Sequence, residues 1–128
     1  MMPAISPDGR LLAYSSDRSG RVEIMATSLP DARVQWQVSQ DGASGNPEWA
    51  PDGRRLYFVD REQHLIQVDV STRDGVRFGA PARVPGAPDG IDDVTIVGNG
   101  RLVLEVTADR GGNPLTLVMD WRGAVESR

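Results

Sequence analysis

A single histidine, His64, and three aspartates crowded into one segment, Asp89, Asp92 and Asp93, are the side chains of this 128-residue chain best suited to acid–base or ligand chemistry. His64 alternates with Ile66 in the run His64-Leu65-Ile66-Gln67-Val68-Asp69-Val70, which places it on one face of a strand, toward solvent or a neighbouring sheet. A Ser-His-Asp triad would have to be built around it, and no G-x-S-x-G elbow accompanies it. Neither catalysis nor metal binding is therefore assigned to it. The segment Pro85-Gly-Ala-Pro-Asp89-Gly-Ile-Asp92-Asp93 lacks the spaced oxygen ligands of an EF-hand and reads as solvated loop charge, with a cation site left open. Asp17 and Asp109 open Gly-containing turns and read the same way. The glycine pairs Gly98-Asn99-Gly100 and Gly111-Gly112 open no helix, so they offer no phosphate cradle.

Composition removes further chemistries. With no lysine and no cysteine, Schiff bases, a Walker lysine, thiol nucleophiles, disulfides and cysteine-zinc sites are all impossible. A net charge of −4 and arginines mixed among acids leave no basic stripe for nucleic acid or an anionic membrane surface. No run approaches about 18 apolar residues, and the start MMPAISPDGR has neither the basic nor the apolar region of a signal peptide. No catalytic residue, cofactor or metal ligand is assigned.

The elements that must position any site are short strands. Period-2 alternation between turn clusters predicts strands near 4–6, 11–15, 22–27 and 34–38, then 48–50, 55–59, 65–70 and 82–84, then 94–97, 102–107 and 115–119. The clusters 17–20, 41–42, 74–75, 85–93 and 109–113 separate them. These strands fall in repeats. PAISPDGRLLAY at 3–14 matches PEWAPDGRRLYF at 47–58 without a gap, with six of twelve positions identical and a period of 44 residues. A weaker third copy, TIVGNGRLVLEV at 95–106, puts Gly98-Asn99-Gly100 where the others have Pro-Asp-Gly, and Leu102 and Leu104 where the second has Leu56 and Phe58.

Pro7-Asp8-Gly9 and Pro51-Asp52-Gly53 suit a tight hairpin mechanically. Proline presets φ, aspartate bonds its own backbone, and glycine accepts positive φ; Asn99-Gly100 would serve alike in the third unit. Four strands per roughly 40–50 residues is the signature of a β-propeller blade. The fold class expected is all-β: about three blades at 3–40, 46–86 and 92–121, the third incomplete, with a tail at 122–128. Trp49 stands where the first unit has Ile5, an inward strand position that points to inter-blade core. Arg10, Arg54 and Arg101 recur directly after the turn, suited to pairing with acids of neighbouring blades.

The pattern P-x-Φ-[SA]-P-D-G-R-x-L-x-Φ followed by SSDRSGRVEIMATSL resembles TolB-type propeller repeats. VQWQVSQDGASGNPEWAPDGRRLYFVDREQHLIQVDV (34–70), VRFGAPARV (76–84) and LTLVMDW (115–121) are similar to the last blades of TolB-like propellers attached to bacterial receptor-like Ser/Thr kinases and winged-helix regulators. The resemblance implies a non-catalytic sensing or interaction module that binds a protein or small ligand, extracytoplasmic if it is a receptor tail and cytoplasmic if complete as given. By analogy with that fold, the first strand of each blade lines the axis, with Ala4, Ser6, Glu48, Ala50, Thr95 and Val97 alternating with Ile5, Trp49 and Ile96. The loops at Ser44–Asn46 and Asp89–Asp93 would rim one mouth, making Glu48, Ser44, Asn46, Asp89, Asp92 and Asp93 the candidate partner-binding residues. Two alternatives are a prolyl-oligopeptidase-type propeller, which would need a hydrolase domain after it, and a lectin-like ligand binder. Three units fall short of the usual 4–8 blades, so self-association or additional N-terminal blades are expected.

Overall fold

A computed structural model describes residues 3–18, 20–97, 101–107 and 114–120. All its regular structure is β, in three antiparallel sheets. The first contains β1 (Ala4–Ile5), β2 (Leu11–Ser16), β3 (Glu23–Ser28) and β4 (Gln35–Gln37) in chain order. The second contains β5 (Ser44–Trp49), β6 (Arg55–Val59) and β7 (Leu65–Ser71), with β8 (Arg77–Phe78) and β9 (Ala82–Arg83) both pairing β7 at its edge. The third is the three-stranded set β10 (Ile91–Val97), β11 (Arg101–Thr107) and β12 (Pro114–Asp120). This is the architecture of successive propeller blades, the last one short of a fourth strand among the described residues. No helix among those residues is long and apolar enough to cross a membrane.

The first two blades open on the same hairpin. Gly9 N–H donates to the Ser6 carbonyl and Gly53 N–H to the Ala50 carbonyl, each at 2.9 Å, across Pro-Asp. Both glycines have left-handed φ, +78° and +75°, which a side chain would resist. Each aspartate then accepts the amide two residues on: Asp8 Oδ1 from Arg10 at 3.0 Å and Asp52 Oδ1 from Arg54 at 2.9 Å. The hydrogen bond from the Ser6 hydroxyl, then the Arg10 amide, holds the Asp8 carboxyl below its ordinary range. The third turn, with Asn99 and Gly100, lies outside the described residues, as do Asp109, Trp121 and 122–128.

Packing follows from alternation. In β6, Leu56 and Phe58 face the first sheet while Tyr57 and Val59 face the third, and all four are buried. One core joins them to Leu11, Ala13, Ile24 and Ala26; the other joins them to Val94, Leu102 and Leu104. Leu102 and Leu104 thus meet the preceding blade as Leu56 and Phe58 do. Two hydrogen bonds stitch the first strands of the three blades: Trp49 Nε1–H reaches back to the Ala4 carbonyl (2.9 Å), and Glu48 Oε1 accepts the Ile96 amide (3.2 Å).

Some positions differ from the sequence expectation. β5 starts at Ser44 and β10 at Ile91, several residues earlier than alternation suggested. Both begin with a register slip, between Ser44 and Glu48 and between Ile91 and Asp93, and the β5 slip contains Gly45 at φ +80°. Bulges break alternation while keeping the ladder, so a period-2 reading stops at them. β8 was not foreseen, because two residues show no period; it sets Phe78 against Trp36 of the first blade, ring centroids 5.6 Å apart. Ile5 is the main correction. It is 61% exposed, whereas Trp49 at the same blade position is 7% exposed, because the second blade has the first in front of it. Among the described residues, no sheet covers the face that carries Ile5.

A buried carboxylate fastens the segment that leads from the first blade into the second. Glu23, 3% exposed, accepts hydrogen bonds from the Ser39 hydroxyl, the Gly42 amide (3.0 Å) and Arg21 Nε (2.7 Å). Burial pushes its pKa up, but the bonds from Ser39, Arg21 and Gly42 outweigh that and leave it below the ordinary glutamate value. Because the folded value is depressed, the stabilisation is complete above the unfolded value near pH ~4.3 and is lost as pH falls toward the folded one. Glu23→Gln should cost about 1.5–3 kcal/mol at pH 7. Its urea-unfolding stability should also fall less steeply than the parent's below about pH 4.3; parallel pH curves would contradict the assignment. Phe58→Ala, which empties a site closed on both sides by packed sheets, should cost about 3–5 kcal/mol in the same assay.

Candidate functional site

Strand register decides which of the candidate residues share an end of the blades. Ser44 pairs with Val59, so the start of β5 lies beside the β6–β7 turn at 60–64. The Ile91 amide donates to the Gln63 carbonyl at 3.0 Å, which ties the start of β10 to that same turn. Ser44, Asn46, Asp89, Asp92 and Asp93 therefore gather at one end of the seam between the second and third blades. The Pro-Asp-Gly turns lie at the other end of β5. Glu48 sits further along β5, opposite Tyr57, half-buried.

These residues were expected in loops, and most are not. Ser44 and Asn46 belong to β5, and Asp92 and Asp93 to β10; Asp89 alone remains in the connecting loop. The bulges that begin both strands account for the difference, since they let turn-type residues enter a ladder. Asp93 Oδ1 accepts its neighbour's amide, that of Val94, at 2.9 Å, while Asp92 Oδ1 accepts from Gln63 Nε2 at 2.9 Å. Gly45 lies against Asp93: a Cβ there would stand 3.5 Å from Asp93 Oδ1.

The electrostatics are those of clustered acids. Burial, opposed by the Ile96 amide and reinforced by the charge of Asp93, raises the Glu48 pKa above its ordinary value. Around the β6–β7 turn stand Asp60, Glu62 and His64. Asp60 Oδ1 accepts the Glu62 and His64 amides at 2.9 and 2.8 Å, which shapes the turn. His64 lies between carboxylates, with Asp60 and Glu62 near Nδ1 and Asp89 Oδ1 3.3 Å from Nε2. Asp60 and Glu62 were missed at the level of sequence. Their alternate spacing with His64 across a turn was the available signal. Arg61 supplies a nearby cation, its stem lying across Gly42.

A concavity of about 700 Å3 opens at the Pro-Asp-Gly end, between the first two blades, lined by Ser6, Asp8, Asp52, Arg54 and Arg73 among others. Arg10, Arg54 and Arg101 are all exposed. Trp36 and Trp49 are engaged in packing and hydrogen bonding between blades, so neither offers a free aromatic platform.

No family model matches the chain. Over 125 residues, 94% of the chain, it is 30% identical to the protein TolB homolog of Chlorobium luteolum, of which it covers 26%. It is 36% identical over 75 residues to the Tol-Pal system protein TolB of Anaeromyxobacter dehalogenans, and 40% identical over 57 residues to that of Alcanivorax borkumensis. Those matches cover 59% and 44% of this chain, and 17% and 13% of the relatives. The chain thus spans about a quarter or less of the curated relatives it matches. Among solved structures, TolB from Acinetobacter baumannii superposes with a TM-score of 0.51 at 18% identity, over 95% of this chain and 41% of that one. A Bacteroides uniformis protein provisionally named a 6-phosphogluconolactonase gives 0.54, also at 18% identity, over 93% and 40%. At that identity the structural likeness speaks for the fold alone. In sequence and in fold, this chain is a partial β-propeller with a TolB-like resemblance running through nearly its whole length.

Proposed function

We propose that the chain is a non-catalytic interaction module that engages a protein partner at the acidic end of the seam between its second and third blades. The observation that carries this reading is the convergence of Asp89, Asp92 and Asp93 with Asp60 and Glu62 at that end, next to the half-buried Glu48. A surface of this sign favours a cationic segment, whose approach is accelerated by the field and weakened by salt. Relatives named as parts of a Tol-Pal system favour a protein over a small ligand. The sequence adds that lysine and cysteine chemistries are closed to it. Pal from such a system is the first probe to use. Calorimetry should show saturable binding that Glu48→Ala and Asp93→Ala each weaken about tenfold, as expected for truncating a charge at a binding hot spot. Binding that neither variant alters would remove this location, and no binding at 100-fold the chain concentration would remove a Pal-type partner.

The first blade leaves one apolar face uncovered among the described residues. Ile5 pairs with Leu12, and Tyr14 with Met25, so these four side chains share a face that no described sheet covers. We infer that another blade closes over it, supplied by a second copy or by a longer chain, since a stack of apolar sheets gains by continuing. Sedimentation equilibrium of the 13.9 kDa chain should report a dimer or larger species that Ile5→Glu converts to monomer. A stable, folded monomer for the parent would count against closure by a second copy.

A further inference from the structure

We propose that the β6–β7 turn of the second blade is a divalent transition-metal site of the zinc class, with Asp60, Glu62 and His64 as its ligands and Asp89 holding the imidazole from behind. The spacing of the donor atoms is the first ground. His64 Nδ1 lies 3.4 Å from Asp60 Oδ2 and 4.0 Å from Glu62 Oε1. Both separations exceed a good N–H···O hydrogen bond of about 2.9 Å. Two ligands bound tetrahedrally at about 2.0–2.1 Å from one zinc ion stand roughly 3.3 Å apart, so small rotations of the three side chains would bring them onto a common centre. All three donor atoms already lie within 4.8 Å of one another.

The second ground is the far side of the ring. Asp89 Oδ1 is 3.3 Å from His64 Nε2. Without an ion the ring can keep its proton on Nδ1, in a long hydrogen bond to Asp60 Oδ2 at 3.4 Å; with the proton on Nε2, toward Asp89, the Nδ1 lone pair is left to a metal. The second arrangement matches the carboxylate–histidine–metal geometry. His64 and Asp60 are mostly enclosed, their side chains 16% and 20% exposed, and Asp60 is further fixed because its other oxygen holds two backbone amides. Glu62 and Asp89, 79% and 86% exposed, leave an open side for water. One imidazole with carboxylates and open positions suits Zn2+, Ni2+ or Co2+ rather than Ca2+, which takes oxygen ligands. Seated at the turn that bonds β10, the ion would tie Asp89's loop to the second blade.

Untagged full chain titrated with Zn2+ tests this, read both by calorimetry and by the ring nitrogen resonances of His64, which is the chain's sole histidine. One saturable site per chain is expected, with the shift on Nδ1. His64→Gln and Asp60→Asn should each weaken binding at least tenfold, and Asp89→Asn about tenfold through loss of the supporting carboxylate. Glu62→Gln, at an exposed position that leaves the fold intact, should also weaken it, and Ca2+ should not displace the ion. Absence of saturable binding, Zn2+ affinity unchanged in His64→Gln and Glu62→Gln, or a shift confined to Nε2 would overturn the proposal.

Discussion

A propeller blade is a sheet with two apolar faces, and it can bury only what its neighbours cover. That constraint organises this chain. The second blade has neighbours on both sides, and its β6 strand is accordingly buried residue after residue from Leu56 to Val59. Among the described residues the first and third blades each meet one neighbour, and their other faces keep Ile5, Val97 and Val118 exposed. Stability in such an array is a sum of blade and interface contributions, and the middle blade takes part in both interfaces.

The interfaces are more than apolar. Trp49 gives its indole N–H to the first blade and Glu48 gives its carboxylate to the third, from adjacent positions on one strand whose side chains point opposite ways. Glu23 performs a similar task within the first blade, fastening the segment from Ser39 to Gly42 that leads into the second. Directional bonds of this kind fix how one blade is set on the next, which burial alone leaves loose.

Much of this was legible in the residues. The duplicated Pro-Asp-Gly turns and the alternation of Leu56-Tyr57-Phe58-Val59 indicated blades, and the register of Leu102 and Leu104 with Leu56 and Phe58 follows from aligning the repeats. What escaped was whatever interrupts a period: the bulged starts of β5 and β10, and the two-residue strand that carries Phe78. The environment of Ile5 also escaped, because the repeat gives a position its direction but not its cover. The candidate site was partly legible. Its aspartates were visible as a cluster, yet the charge contact of Asp89 with His64 and the hydrogen bond of Gln63 to Asp92 join segments about 25 and 29 residues apart.

The three blades should behave as one cooperative stack anchored on the doubly covered middle sheet. Native-state hydrogen exchange under increasing urea tests it directly. The amides of Leu56 and Phe58 should be the slowest to exchange, and those of Ala13, Ile24 and Leu104 should merge with them into a single global opening. Exchange of the middle sheet ahead of the other two, or three separate openings with unrelated urea dependence, would contradict it.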